Sequence, residues 1–281
     1  RDHRRALGGQ MITRVCPDCG NTFETTDLRR IRCRKNCGRT SASSNKARTR
    51  RRDAHILDFI GVDGEGVTRP SGQHIYDMLS VGSNTLTSPD GSQLHWTQIF
   101  EFLWEQYCES PTATYAGFFL GYDFTQWFRT LPEDRARMLL SPEGRAVRRR
   151  KAPGTEHLGP FPVHLGDEWE CDILGTKRFK LRKTGAKSWM YINDAGPFFQ
   201  QSCRAVIDPK GWDEPVCTQE EYDLVSRGKS DRGVRVELDA QLANRAQTAR
   251  YNTLENDILG RVLHRLNTGL VRAGVHLRRT Q

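Results

Sequence analysis

The apolar run Ile56-Leu57-Asp58-Phe59-Ile60-Gly61-Val62 predicts a buried strand, closed by Asp63-Gly64-Glu65-Gly66. Residues 74–82 predict a second strand. Residues 84–95 predict two short strands around the turn Ser88-Pro89-Asp90-Gly91-Ser92, hence a β-meander. Residues 97–109 predict an amphipathic helix with Phe100, Leu103, Trp104 and Tyr107 on one stripe and Thr97 as its N-cap. Residues 112–120 predict a strand, and 123–131 a helix ended by Pro132.

The next segment, 145–187, holds eleven basic residues against five acids. The alternation in Lys177-Arg178-Phe179-Lys180-Leu181-Arg182 marks it as a basic β-hairpin, expected as an insertion outside the core sheet. Residues 188–194 return as a strand, 219–226 as a short helix. Residues 238–270 predict a long helix with Leu254, Ile258, Leu259, Val262, Leu263 and Leu266 as its apolar stripe. Strands, helix, strand and helix in this order indicate an α/β fold with a mixed sheet.

The chain has 281 residues, 36% of them hydrophobic, enough for a real core. No run of 18 apolar residues exists, so no membrane span is expected. No apolar stretch follows the basic start, so no secretory signal is expected, and the missing initiator Met suggests a processed product or a fragment. The net charge of +9 is unevenly spread. Residues 1–52 hold 15 basic and 4 acidic side chains, the remainder 28 and 30. A basic arm on a near-neutral body is the footprint of a polyanion binder, against the blander reading of a solvated tail.

Four of the eight cysteines make a C-x2-C, thirteen-residue, C-x3-C pattern: Cys16, Cys19, Cys33 and Cys37. Two such pairs on tight turns place four thiolates around one structural Zn²⁺. Gly20 and Gly38 follow each pair, where a knuckle needs positive φ. Two disulfides are the alternative, disfavoured because nothing marks the chain as secreted. Arg29, Arg30 and Arg32 surround this ribbon, and its charge favours DNA contact over protein contact or simple stapling. The expected organisation is an arm and zinc ribbon at 1–45, a basic linker at 46–53 and an α/β body at 54–281.

Asp63 and Glu65 are i and i+2 on a strand, so they share a face. Two carboxylates in one small volume are costly unless a cation is bound. An ordinary turn also explains them. Asp123 follows Gly117-Phe118-Phe119-Leu120-Gly121-Tyr122, at a strand-to-helix junction where an acid is also a common cap. Tyr251 and Glu255 are i and i+4 on the long helix and share a face, whereas Asp257 points elsewhere.

The order and spacing of these residues resemble the DEDD-type 3′–5′ exonuclease domains, most of all the proofreading domain of phage and plasmid family B DNA polymerases. The resembling segments are 60–65, 118–128, 189–202 and 250–263. The N-terminal ribbon is an addition to that pattern. The resemblance implies a ribonuclease H-like fold and two Mg²⁺ or Mn²⁺ ions. Asp63, Glu65, Asp123 and Glu255 would hold the ions, with Asp257 as the alternative fourth acid and Tyr251 orienting the attacking water. Asp172 and Asp194 are substitutes if the correspondence slips. Phe118, Phe119 and Tyr122 are candidates to stack on unpaired bases, although core packing of at least two of them is the stronger reading. Arg148, Arg149 and Arg150 would track the phosphate backbone.

Two departures stand out. The family's asparagine before the second-motif acid is replaced by Phe118, Phe119 and Gly121, and the third motif carries Glu255 where Asp is usual. Palm motifs of a polymerase are absent from this chain. The expected partner is a single-stranded DNA 3′ end or primer–template DNA, with a polymerase domain of the same chain or other replication proteins, in the cytoplasm or nucleoid of a bacterial host. A free-standing DEDD nuclease on DNA or RNA, or a non-catalytic zinc-ribbon DNA-binding protein, are the alternatives.

Overall fold

The structure is a computed structural model that describes residues 12–15, 22–25, 57–148, 162–230 and 235–275. The chain divides into two compact units, Arg1–His55 and Ile56–Gln281. In the first, β1 (Ile12–Val15) and β2 (Thr22–Thr25) form an antiparallel pair, Ile12 opposite Thr25 and Val15 opposite Thr22. Cys16, Cys19, Cys33, Cys37, Arg29, Arg30 and Arg32 lie outside the described residues, as do Arg149 and Arg150.

The second unit is α/β. In chain order it contains β3 (Phe59–Thr68), β4 (His74–Val81), β5 (Asn84–Thr87), α1 (Trp96–Glu109), β6 (Thr114–Gly117), α2 (Gly121–Phe128), α3 (Glu133–Leu140) and α4 (Pro142–Arg148). Then follow β7 (Val163–Leu165), β8 (Trp169–Leu174), β9 (Arg178–Lys183), β10 (Met190–Asp194), α5 (Gly196–Phe199), α6 (Cys203–Ile207), α7 (Gln219–Ser230) and α8 (Leu238–Arg272). Eight strands form one mixed sheet in the order β5-β4-β3-β6-β10-β9-β8-β7. β3, β6 and β10 run parallel, and the other neighbours are antiparallel. Among the described residues no helix is long and apolar enough to cross a membrane.

The basic hairpin is not an insertion outside the sheet. β8 and β9 pair over six residues, β9 pairs with β10, and together they form the outer half of the sheet. The reason is the other face of the strand. Phe179 and Leu181 alternate with the cations and are fully buried. Phe179 sits among Phe100, Phe124, Trp127 and Phe128 with ring centroids 5.5–6.0 Å away. Burying such a ring contributes about 3 kcal/mol, which a charged opposite face does not offset.

Three smaller expectations also change. The meander ends with β5, because Leu94 N–H bonds Tyr76 O and His95 then caps α1 in place of Thr97. The sixth strand stops at Gly117, where Phe119 turns into the left-handed region at φ 58°. And β3 does not end at the acids but runs on to Thr68, absorbing a register shift between Glu65 and Gly66.

The 35-residue α8 lies against β3 and β4. Gly61 makes that approach possible, since a Cβ there would stand 2.4 Å from Asn256 O. On the same helix Ile258, Leu259 and Val262 are buried, so the apolar stripe read from the sequence is the packed face.

Candidate active site

Asp63 and Glu65 project from the middle of β3 on the same parity as Gly61, toward α8. Both are 8% exposed, Asp123 on α2 is 2% exposed and Glu255 on α8 is 3% exposed. Burial pushes the Asp63 carboxyl well above the usual carboxylate range. The charges of Glu255, Glu65 and Asp123 push it further, and only Lys229 opposes them. Four carboxylates from three separate elements therefore act on one buried volume.

The two glycines between and after the strand acids explain how their neighbours fit. A Cβ on Gly64 would stand 1.8 Å from Tyr76 Oη, and one on Gly66 would stand 2.5 Å from Tyr122 Oη. The bare backbone thus makes room for both tyrosines. Tyr76 donates its hydroxyl to Asp123 Oδ1 at 2.9 Å and accepts from Trp127 Nε1 at 2.9 Å. This buried chain fixes the orientation of Asp123.

Glu255 is held by Lys229 of α7, whose Nζ lies 2.5 Å from Oε1, and by the Cys203 thiol at 3.3 Å. Its Oε2 is buried without a hydrogen bond. Burial, then Glu255, raises the Cys203 thiol far above its ordinary range, so it stays a protonated donor. Tyr251 is buried, one turn before Glu255. Its ring rests on Gly228, where a Cβ would stand 2.8 Å away. Tyr251, Glu65 and Tyr122 line a cavity of about 490 Å³ with His74, Gln241 and Arg245.

The remaining candidates separate. Asp257 is exposed and paired with Arg261 at 3.0 Å, outside this cluster. Asp172 is buried on β8 beside Lys180 at 3.4 Å, four strands along the sheet from β3. Asp194 accepts from the backbone N–H groups of Phe119 and Gly196 at 2.8 and 2.9 Å, holding the strained Phe119 turn. Phe119 and Tyr122 are 50% and 40% exposed, whereas Phe118 stacks on Phe199 at 5.8 Å. Phe118 is therefore the most deeply packed of the three, while Tyr122 leans on His74 and Tyr76 and Phe119 on Phe118 with large exposed areas left. Tyr122 Oη meets His74 Nε2 at 2.5 Å. Arg148 is the last residue of α4.

Tyr76, Trp127, Cys203 and Lys229 were not foreseen from the sequence. Each works through a partner at least 47 residues away except Lys229, 26 residues from Glu255, and no local pattern marks such pairs. Among the described residues no group of three His, Cys, Asp or Glu side chains is arranged to hold a metal ion as it stands. Comparison of the chain with protein-family models, curated proteins and solved structures returned no match.

Proposed function

We propose that the second unit is a ribonuclease H-like, metal-dependent 3′–5′ exonuclease acting on single-stranded DNA ends. The observation that carries this reading is the convergence of Asp63, Glu65, Asp123 and Glu255 in one buried volume, with the Asp63 carboxyl raised by the other three. Structural cores do not concentrate carboxylates without a compensating cation. The donor set is hard oxygen and Glu255 Oε2 is buried without a hydrogen bond, which suits Mg²⁺ or Mn²⁺. When bound, a pair of such ions supplies an activated water and stabilises the attacking and leaving oxygens of the phosphodiester.

The chain's own residues do the rest. Asp63, Glu65 and Glu255 would hold one ion, Asp63 and Asp123 the other. Tyr76 keeps Asp123 aimed, and Tyr251 would orient the attacking water. Phe119 and Tyr122, both exposed, would receive unpaired bases. The direction of digestion and membership of a longer replicative polymerase rest on the family resemblance, and the structural zinc of the first unit rests on the spacing of Cys16, Cys19, Cys33 and Cys37. A non-catalytic DNA-binding protein is the second reading, favoured by the Lys229–Glu255 ion pair, which gives the acids a cation of their own.

A 5′-labelled oligonucleotide with Mg²⁺ or Mn²⁺ tests this. The parent should give a ladder shortening from the 3′ end. Asp63→Ala with Glu65→Ala should slow it by about three orders of magnitude while strand binding survives. Equal rates from both proteins would refute the assignment.

A further inference from the structure

The outer half of the sheet has two very different faces. One fills the core through Cys171, Phe179, Leu181, Met190 and Ile192, all fully buried. The other carries charge and aromatic rings. On β8, Glu170 and Asp172 lie deepest, their side chains 9% and 8% exposed. Over them lie Arg182 and Lys180, 25% and 23% exposed, at 2.5 Å from Glu170 and 3.4 Å from Asp172. Over these in turn lies Trp189, with Arg182 Cζ 4.2 Å and Lys180 Nζ 4.7 Å from its ring centre. Arg178 sits 5.4 Å from the ring centre of Tyr191.

The carboxylates are thus covered by the cations, and the surface shown to solvent is positive. Arg178 and Lys187 have no carboxylate partner among the described residues. The face therefore holds four cations against two acids. Each ring is clamped by a cation that is itself clamped by a carboxylate or strand, so little freedom is left to lose on binding. Beside Trp189 and Tyr191 lies a groove of about 330 Å³, edged by Lys187, Thr114 and Asn193. That is enough for a flat polar group the size of a nucleobase and its sugar.

The strand bearing these rings leads to the acids. β10 ends at Asp194, which accepts from the Phe119 N–H just ahead of α2, the helix that carries Asp123. Trp189 lies five residues earlier, about 17 Å along the strand.

We propose that the Trp189–Tyr191 face of β9 and β10 is a binding track for single-stranded nucleic acid, stacking unpaired bases on the two rings and holding phosphates with Arg178 and Lys187. The inference deepens the exonuclease reading and rests on it. It assigns the stretch of strand behind the reacting end, which the four acids do not hold. Unpaired strands fit better than duplex, because only they offer free base faces to a ring. The positive surface favours a polyanion over a protein partner.

The test uses the full chain carrying Asp63→Ala and Glu65→Ala, so that the strand survives, with labelled oligothymidylates of about 4 and about 16 nucleotides. Adding Trp189→Ala and Tyr191→Ala should weaken binding of the longer strand about tenfold or more and of the shorter one by less than about twofold. Trp189→Phe keeps a stacking ring and should restore affinity to within about threefold. Arg178→Gln with Lys187→Gln should lower the slope of log K against log[salt] by about 1.4.

Unchanged binding of the longer strand by the double alanine variant would overturn the proposal. So would a Trp189→Phe protein as weak as Trp189→Ala, since that is the mark of a structural role. Loss of binding to another replication protein, with strand affinity intact, would make the face a protein interface and also overturn it. A parent that neither binds nor cleaves single strands sinks the exonuclease reading together with this one. A parent that does both, matched by the double variant on long strands, sinks this one alone.

Discussion

Lys229 places its ammonium nitrogen 2.5 Å from Glu255 Oε1, with the lysine side chain 15% exposed and the glutamate 4% exposed. The pair joins α7 to α8 at the point where three other carboxylates converge. Removing one member of a buried pair leaves the other uncompensated. Lys229→Met should therefore destabilise the fold by about 3–5 kcal/mol without divalent ions, and Mn²⁺ should restore much of that loss. Thermal melts with and without Mn²⁺ check it. A melting temperature indifferent to both the substitution and the ion would separate Lys229 from the cluster.

Glu255 and Asp257 sit in opposite environments. Glu255 is buried with Lys229, while the Asp257 side chain is 66% exposed beside Arg261. Glu255→Gln should lower the exonuclease rate by about two orders of magnitude or more, and Asp257→Asn should leave it within about twofold. Initial rates on one labelled strand compare them directly, and the reverse ranking would displace the third motif.

Tyr76 connects Trp127 to Asp123 through two hydrogen bonds of 2.9 Å. Tyr76→Phe removes the hydroxyl that joins Trp127 Nε1 to Asp123 Oδ1 in the core. The cost should be about 1–3 kcal/mol of stability. The rate should fall about tenfold or more, because Asp123 is no longer held to one orientation. Denaturant midpoints and turnover, measured on the same preparation, separate the two effects.

Glu221 on α7 meets Arg261 on α8 at 3.0 Å, and the hydrogen bonds from Arg261 pull its carboxyl below the ordinary range. A depressed carboxylate stabilises the fold above its unfolded pKa, and that contribution is lost as pH falls through the folded value. The pair is partly exposed, so its contribution is about 0.5–1 kcal/mol. Arg261→Ala should lose less stability than the parent between about pH 5 and pH 3. Melts across that range would show it, and parallel pH curves for the two proteins would exclude the pair as an acid-sensitive clamp.

The first unit should contain one Zn²⁺ on Cys16, Cys19, Cys33 and Cys37. Elemental analysis of the purified chain should give about one equivalent, lowered by Cys33→Ser. A chelator should strip the ion while the melt of the second unit persists. A zinc content near zero, or one unaffected by Cys33→Ser, would end that assignment.

Much of the second unit was legible because period is a local property. The stripe through Leu254, Ile258, Leu259 and Val262 marks the packed face of α8, and the helix spans 238–272 against an expected 238–270. The same helical period puts Tyr251 and Glu255 on that buried side and leaves Asp257 outside. Strand alternation likewise places Asp63 and Glu65 together, whatever the rest of the chain does. These relationships hold between residues two to four apart, where backbone geometry alone sets direction.

Relationships across space had no such signature. The cations of β9 suggested an inserted hairpin, yet Phe179 and Leu181 on its opposite face place it in the main sheet. Gly64 and Gly66 read as turn glycines. They lie instead within a continuous strand, where they make room for Tyr76 and Tyr122. Lys229 carried no local signal in the sequence and is half of a buried pair. Sequence alone determined which side chains share a face. Tertiary packing decided what each face meets, because burial and charge compensation depend on atoms that the chain brings together only when it folds.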